Sequence, residues 1–189
     1  MIEKLHEWDV KLFVFLNSLG SEAYDSLWEI ITRFQYWIPV FAIVLYIAYK
    51  KLGKNHFFLV LGMVALTVLF TDQTTNLIKF LFKRPRPCNN PDIATLIRAV
   101  QTRRSFSFVS GHASNSMAVS FLVYNILKPY TKYIGLFFLW PLIFGFSRIY
   151  LGLHYPGDIL CGYLYGLLTG WFILQLYKFI RQKYSPTFA

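Results

Sequence analysis

Cysteine is scarce in this chain, whose 189 residues contain only Cys88 and Cys161. One lies in a polar loop and the other in an apolar run, so the sequence predicts no disulfide framework. Acidic residues are also few, nine against 19 Lys and Arg, which leaves a net charge of +10. Nucleic-acid-binding proteins share such an excess, but here the basic residues form short clusters rather than one continuous face. We therefore predict no nucleic-acid partner.

The first residues lack the features of a removable signal peptide. Residues 1–11 carry five charged side chains, the apolar run after them is short, and no small-residue cleavage site follows. We expect the first spanning helix to direct insertion instead.

Apolar and aromatic residues dominate the composition. They make up 56% and 20% of the chain, respectively, and the apolar share is too large for a soluble domain with ordinary loops. A soluble protein with an unusually large aromatic core is the alternative. We predict an integral membrane protein, with Trp and Tyr collected at the headgroup level.

The apolar residues fall into five long stretches separated by short polar segments. They cover residues 34–49, 57–82, 111–127, 133–150 and 159–177. Residues 1–35 are amphipathic and fit either two interfacial helices or one marginal first span. The sequence therefore predicts a single domain over residues 1–189, an all-α polytopic transmembrane bundle with five clear spans. A helical piece is also expected within the loop, at residues 92–100.

Two spans carry a polar or small-residue face. Asp72, Asn76 and Lys79 recur at helical spacing near the end of the second span. They must face protein or a wet cavity, because a charge at the bilayer centre costs roughly 2.5 to 3.5 kcal/mol on insertion scales. Glycines at every fourth position, Gly162 to Gly170, place a face of the fifth span against another helix.

Counting spans places all the polar motifs on one side of the membrane, since they lie where the second and fourth spans end and where the third and fifth begin. The opposite side receives the basic segments 50–54, 128–132 and 178–183. By the positive-inside rule, those segments are cytoplasmic. We predict a bacterial inner (cytoplasmic) membrane protein with its active site facing the periplasm or the outside.

Three cations come from two helix ends: Lys79 and Arg86 near the end of the second span, and Arg148 near the end of the fourth. Convergent cations repel one another, and a bound anion relieves that repulsion. Guanidinium groups match pairs of phosphate oxygens, and Lys acts as a point charge. Each cation alone is explained by snorkelling to the interface, but together they predict a phosphate site.

The third span begins at Ser110-Gly111-His112. Serine is a favoured helix N-cap, and the free amides of a first helical turn bind phosphate. For the Ser-Gly pair alone, a plain cap without a ligand is the better explanation. His112 is the available proton donor for a departing oxygen.

His154 and Asp158 lie one helical turn apart at the start of the fifth span. A carboxylate that accepts a hydrogen bond from one imidazole nitrogen leaves the other basic, which makes His154 the candidate nucleophile. Two histidines and a carboxylate are also a possible metal set. A dication beside three cations would be repelled, so we predict neither a metal nor a cofactor.

Taken as a set, these motifs resemble the signature of the type 2 phosphatidic acid phosphatase family, which also includes the vanadium haloperoxidases. Lys79 is followed after six residues by Arg86-Pro87; then come Ser110-Gly111-His112, and Ser147-Arg148 with His154 and Asp158. One departure is Val109, where the family usually has proline.

The resemblance implies a membrane bundle, usually of six spans, that hydrolyses a lipid phosphate without metal through a phosphohistidine. His154 would attack phosphorus, Asp158 would orient it, and His112 would protonate the leaving alkoxide. The remaining matched residues would hold the phosphate oxygens: Lys79, Arg86, Ser110, Gly111 and Arg148. The expected partners are the bilayer and a lipid phosphate, and the sequence does not indicate the oligomeric state.

Candidate substrates are undecaprenyl diphosphate, phosphatidylglycerol phosphate, phosphatidic acid and a lipid A phosphate. Lys83, Arg84, Arg103 and Arg104 are further candidates for headgroup contacts, on charge alone. Two other functions fit parts of the pattern. A non-catalytic binder or transporter of lipid phosphates would keep the anion site but would not need the His154-Asp158 pair, and haloperoxidase chemistry would use bound vanadate.

Overall fold

The computed structural model describes residues 2–184, and this part of the chain is helical, without strands. Seven α-helices follow one another: α1 (Ile2–Ser18), α2 (Glu22–Ile31), α3 (Ile38–Leu52), α4 (Lys54–Phe82), α5 (Gly111–Leu127), α6 (Leu139–Tyr150) and α7 (Pro156–Tyr184). Short 3-10 helices lead into α3 and α6, at Phe34–Trp37 and Lys132–Phe138. The prediction of an all-α protein is confirmed.

Three helical segments within the described residues are long and apolar enough to cross a membrane. They are Lys54–Ile93, Lys132–Tyr150 and Pro156–Lys183. A fourth arises if Glu22–Ile31 and Phe34–Leu52, which meet at 72°, form one broken span. These helices make the chain an integral membrane protein, while the expected number of five or six spans stays a prediction.

The centre of the bundle is α5, which packs against α4, α6 and α7. Its contact with α7 is close because the predicted glycine face of α7 lies directly on the α5 backbone. A Cβ atom at Gly166 would lie 2.4 Å from the carbonyl oxygen of Ser114, and one at Gly170 would lie 2.8 Å from that of Ala118. The prediction that this face meets another helix is confirmed.

Replacing Gly166 with alanine is expected to destabilise the bundle. The added methyl group meets backbone atoms of α5, which cannot move aside as a flexible side chain does, and overpacking of this kind costs about 1 to 3 kcal/mol. Gly62 on α4 is the matched control, because a Cβ atom there meets nothing within 4 Å. Thermal unfolding in detergent should show a lower midpoint for Gly166→Ala and no loss for Gly62→Ala. Equal midpoints would contradict the close packing of α5 on α7.

Three of the helix ends that carry the motifs form as the local sequence dictates. The helix α4 stops at Lys83, which adopts a left-handed conformation at φ 49°, and the prolines at 85 and 87 prevent its continuation. Ser110 caps α5 by accepting a hydrogen bond from the Ala113 amide at 3.4 Å, as predicted. Pro156 opens α7 at the first helical position.

The helix predicted at residues 92–100 is wrong. Only a 3-10 turn forms, Pro91–Ile93, because distant residues take the backbone groups that a helix would use. The amide of Arg98 donates to the Asn17 side chain at 2.7 Å, and that of Gln101 donates to the Leu151 carbonyl at 3.1 Å. Asn17 of α1 is fully buried and thereby ties this loop to the end of α6.

Candidate active site

One cavity of about 420 Å³ brings together six of the eight predicted site residues: Lys79, Arg86, Gly111, His112, Arg148 and His154. Ser110 and Asp158 lie behind the cavity and are fully buried. The residues come from the ends of α4 and α6, the start of α5, the first turn of α7 and the loops that follow α4 and α6. Their proximity agrees with the prediction, made by counting spans, that all the motifs lie on one side of the membrane.

The cavity changes character with depth between α4 and α6. Guanidinium, ammonium and imidazole groups line the end nearest the loops. One or two turns further along the helices lie Asp72 and Asn115, and beyond them apolar side chains such as Val68 and Trp140. A ligand with an anionic head, a polar neck and an apolar tail matches this gradient.

The Lys79 ammonium group lies against the first turn of α5. A Cβ atom at Gly111 would be 3.3 Å from Nζ of Lys79, so a side chain at position 111 would crowd the cation. Glycine thus leaves the main chain open toward the cavity, next to the free amides at the start of α5.

Arg86 fixes the state of His154. Its Nη1 atom lies 2.9 Å from Nε2 of His154 and also donates to the Leu153 carbonyl at 2.9 Å. A guanidinium group can only donate hydrogen bonds, so Nε2 must be the acceptor and the ring proton sits on Nδ1. His154 is therefore the tautomer whose Nε2 lone pair faces the cations.

Asp158 lies on the other side of the ring. Its Oδ2 atom is 3.4 Å from Nδ1 of His154 and accepts a hydrogen bond from the Tyr155 amide at 3.0 Å. The separation of 3.4 Å is longer than a normal hydrogen bond, as is common in catalytic pairs before substrate binds. The pairing predicted from the spacing is present in geometry.

His154 is almost completely buried. Loss of hydration lowers its pKa well below the ordinary value of 6.5, and the charges of Arg86, Arg148 and Lys79 lower it further. A depressed pKa means that the ring stays neutral above that lowered value. At pH 7 the imidazole is therefore neutral.

Arg148 is buried and reaches the cavity from α6. Its Nη1 atom donates to the Thr32 hydroxyl at 2.5 Å, while its Nε atom has no hydrogen-bond partner among residues 2–184. An unpaired buried guanidinium N–H is costly, and a phosphate oxygen is a suitable acceptor for it. His112 packs nearby with its ring 5.0 Å from that of Phe144.

Reasoning from the motifs missed several residues that surround them. Thr32 holds Arg148, and Asp9 of α1 reaches the site by way of Arg84. The headgroup role considered for Arg84 does not fit, because its guanidinium is bound to Asp9 and Asp158. These contacts join segments that lie more than 70 residues apart, and no local spacing signals them. Arg103 does line the cavity, as expected for a headgroup contact.

Comparison with known proteins agrees with this arrangement. The model of the PAP2 superfamily matches residues 56–182. A lipid A 4'-phosphatase of Bacteroides thetaiotaomicron is 35% identical over 97% of this chain and 81% of its own length. A second lipid A 4'-phosphatase, from Porphyromonas gingivalis, is 29% identical over 97% of this chain and 78% of its own.

A solved structure shares the fold. It is the transmembrane PAP2-type phosphatidylglycerolphosphate phosphatase from Bacillus subtilis, which superimposes with a TM-score of 0.67 at 20% identity, over 96% of this chain and 88% of that one. The family match covers every motif from Lys79 to Asp158. This membrane protein belongs to the PAP2 superfamily, the family that its three motifs predict.

Proposed function

We propose that this phosphatase hydrolyses the phosphate group of a membrane lipid through a phosphohistidine on His154, without a metal ion. The hydrogen bond from Arg86 to Nε2 of His154 carries the proposal. It requires an unprotonated Nε2 that faces the cations, which is the form needed to attack phosphorus.

Substrate binding would expose the nucleophile. In the free site Arg86 occupies the Nε2 lone pair, and a phosphate dianion is a better acceptor for a guanidinium than a neutral imidazole. Arg86 would therefore transfer its hydrogen bond to a phosphate oxygen. Lys79, Arg148 and the first amides of α5 would bind the other oxygens and stabilise the charge that develops in the transition state.

Two chemical steps follow. Nε2 of His154 forms a bond to phosphorus as the bond from phosphorus to the lipid oxygen breaks. His112, which can hold a proton once the phosphate dianion lies beside it, gives that proton to the departing oxygen. Neutral His112 then accepts a proton from water, which attacks phosphorus and releases inorganic phosphate from Nε2. The Nδ1 proton interacts with Asp158 throughout and keeps the ring oriented.

For the substrate, we propose a phosphorylated glycolipid of the lipid A type. Two relatives that match 97% of this chain are lipid A 4'-phosphatases. The cavity gradient supports the same assignment, since Asp72 and Asn115 lie between the cations and the apolar end. A sugar offers hydroxyl groups to these polar side chains, and a polyprenyl chain offers none.

We also propose that α3 to α7 span the inner membrane and that the site faces outward, as the distribution of basic residues indicates. In this arrangement α1 lies along the surface. Asp9 contacts the start of α7 and Asn17 contacts the end of α6. These two helix ends lie on the same side of the membrane, and the two residues are about 12 Å apart along the axis of α1. The helix α1 therefore runs along that surface. Its exposed apolar side chains, including Leu5, Trp8 and Phe15, would enter the headgroup region.

A substrate panel tests the function. Purified protein in EDTA is incubated with lipid A, phosphatidic acid, phosphatidylglycerol phosphate and undecaprenyl diphosphate, and released phosphate is measured. We expect release without added metal, fastest from lipid A, and inhibition by vanadate. A requirement for divalent metal, or phosphate release that vanadate does not inhibit, would contradict the mechanism. Binding of these lipids without any release would indicate a binder or transporter.

A second arm of this experiment tests the orientation. Sealed spheroplasts receive a short-chain lipid phosphate that does not cross the membrane. Release before lysis supports an outward site, whereas release only after lysis would place the site in the cytoplasm.

A further inference from the structure

Arg84 links the proposed catalytic pair to the amino-terminal helix. It lies in the loop after α4, and its side chain is only 18% exposed. Nη1 is 2.7 Å from Oδ1 of Asp158, and Nη2 is 2.7 Å from Oδ2 of Asp9. The guanidinium also lies over the Tyr155 ring, 4.0 Å from its centre. One planar group thus joins two carboxylates from opposite ends of the chain.

The two oxygens of Asp158 have different partners. Arg84 binds Oδ1, whereas Oδ2 faces the Tyr155 amide and Nδ1 of His154. A carboxylate group can rotate about its terminal bond. A hydrogen bond to Oδ1 therefore determines whether Oδ2 faces the imidazole. Arg84 is the group that holds it, and its charge balances that of the fully buried Asp158.

Asp9 in turn holds Arg84. Its Oδ1 atom accepts a hydrogen bond from the Gly157 amide at 2.7 Å, in the first turn of α7. A Cβ atom at Gly157 would lie 2.7 Å from the Asp9 carboxylate, so glycine is what lets the two approach. The same carboxylate therefore contacts the start of α7 and the arginine that orients Asp158.

We propose that Arg84 is a positioning residue for the reaction, that it orients His154 through Asp158, and that Asp9 makes α1 part of this support. The inference rests on the proposed function, because it concerns the efficiency of the His154 nucleophile. Arg84 does not touch the substrate in this arrangement. Lysine cannot replace it, since an ammonium group lacks the planar fork that reaches both carboxylates.

The first measurement compares kcat and KM for Arg84→Lys and Asp9→Asn with those of the wild-type protein. We expect kcat to fall about 10- to 100-fold for Arg84→Lys, the usual effect of removing a partner that orients a catalytic group. The fall should be smaller for Asp9→Asn, which keeps the shape of the side chain. KM should change little in both, because neither residue contacts the phosphate.

The ion pair between Arg98 and Asp25 provides matched controls. It also joins an amino-terminal helix to a loop, with an N–O distance of 2.7 Å and similar exposure, but it lies outside the cavity. Arg98→Lys and Asp25→Asn should therefore leave kcat unchanged. Thermal unfolding of all four variants shows whether they fold. If Arg84→Lys does not fold, the kinetics of Asp9→Asn test the proposal.

A double-variant cycle separates positioning from a general structural effect. If Arg84 acts through Asp158, then Arg84→Lys should have little further effect on kcat in an Asp158→Asn background. Additive losses, or an unchanged kcat in folded Arg84→Lys, would overturn the proposal. So would a higher KM at constant kcat, which would mean that Arg84 binds the headgroup. Failure of the proposed function is distinct, because the wild-type protein would then release no phosphate.

Discussion

Replacing His154 with alanine is expected to abolish phosphate release, with a loss on the order of 10⁴- to 10⁶-fold in kcat, the range seen when a covalent nucleophile is removed. The variant keeps Lys79, Arg86 and Arg148 in the cavity, so lipid binding should persist while turnover stops. Initial rates of phosphate release by the purified protein provide the measurement, and equilibrium binding of the same lipid shows whether the site is intact.

His56 supplies the control for this variant. It lies at the start of α4, stacks on the Tyr177 ring and is hydrogen-bonded to the Tyr177 hydroxyl, and it is not part of the cavity lining. His56→Ala should therefore retain activity. Undiminished release by His154→Ala would exclude His154 as the nucleophile, whatever the effect at His56.

The part of the site that sequence alone predicts is the part encoded at helix ends. Prolines after α4 and the Ser110 cap before α5 are local signals, so the end of α4 at Phe82 and the start of α5 at Gly111 agree with expectation. Counting the expected spans then predicts that these ends lie on one side of the membrane. Packing of the helices brings them to one cavity.

Long-range contacts account for what sequence reasoning missed. Asp9 and Arg84 are 75 residues apart, and nothing in the spacing of either residue indicates the other. The residues 92–100 have a helical pattern, yet this backbone takes another shape, because the Asn17 side chain donates to the Arg98 carbonyl and the amide of the adjacent Gln101 donates to the Leu151 carbonyl. In both places tertiary partners override a local preference.

The amino-terminal helices illustrate the same limit. The sequence of α1 is ambiguous because apolar side chains occupy two of its faces. Phe13 is fully buried against the bundle, whereas Trp8 is 74% exposed. Hydropathy does not distinguish a helix face that packs on protein from one that contacts lipid. The contacts of Asp9 and Asn17 with α7 and α6 identify the face of α1 that packs on the bundle.

In the proposed mechanism, the cationic cavity couples substrate binding to exposure of the nucleophile. Three cations and a neutral His154 share a buried space, and Arg86 is hydrogen-bonded to His154. A dianion that enters this space would relieve the repulsion and draw Arg86 away from Nε2. Water is a weaker competitor for the guanidinium than phosphate, so the nucleophile would become free chiefly when a substrate is present.

Replacing His112 with alanine is expected to reduce turnover of lipid phosphates by about 10²- to 10⁴-fold, the usual contribution of general acid catalysis. The loss should depend on the leaving group, because an alkoxide needs a proton as it departs and a stable aryloxide does not. With p-nitrophenyl phosphate, a monoester whose leaving group is an aryloxide, the first step should be nearly normal in His112→Ala.

Pre-steady-state kinetics with the substrate in excess make the comparison decisive. For the nitrophenyl substrate, His112→Ala should release one equivalent of nitrophenol in a burst and then slow, since water attack on the phosphohistidine still lacks its base. His154→Ala should show no burst with either substrate. Equal losses for the lipid and nitrophenyl substrates in His112→Ala, with no burst, would show that His112 supports binding of the phosphate and does not transfer the proton.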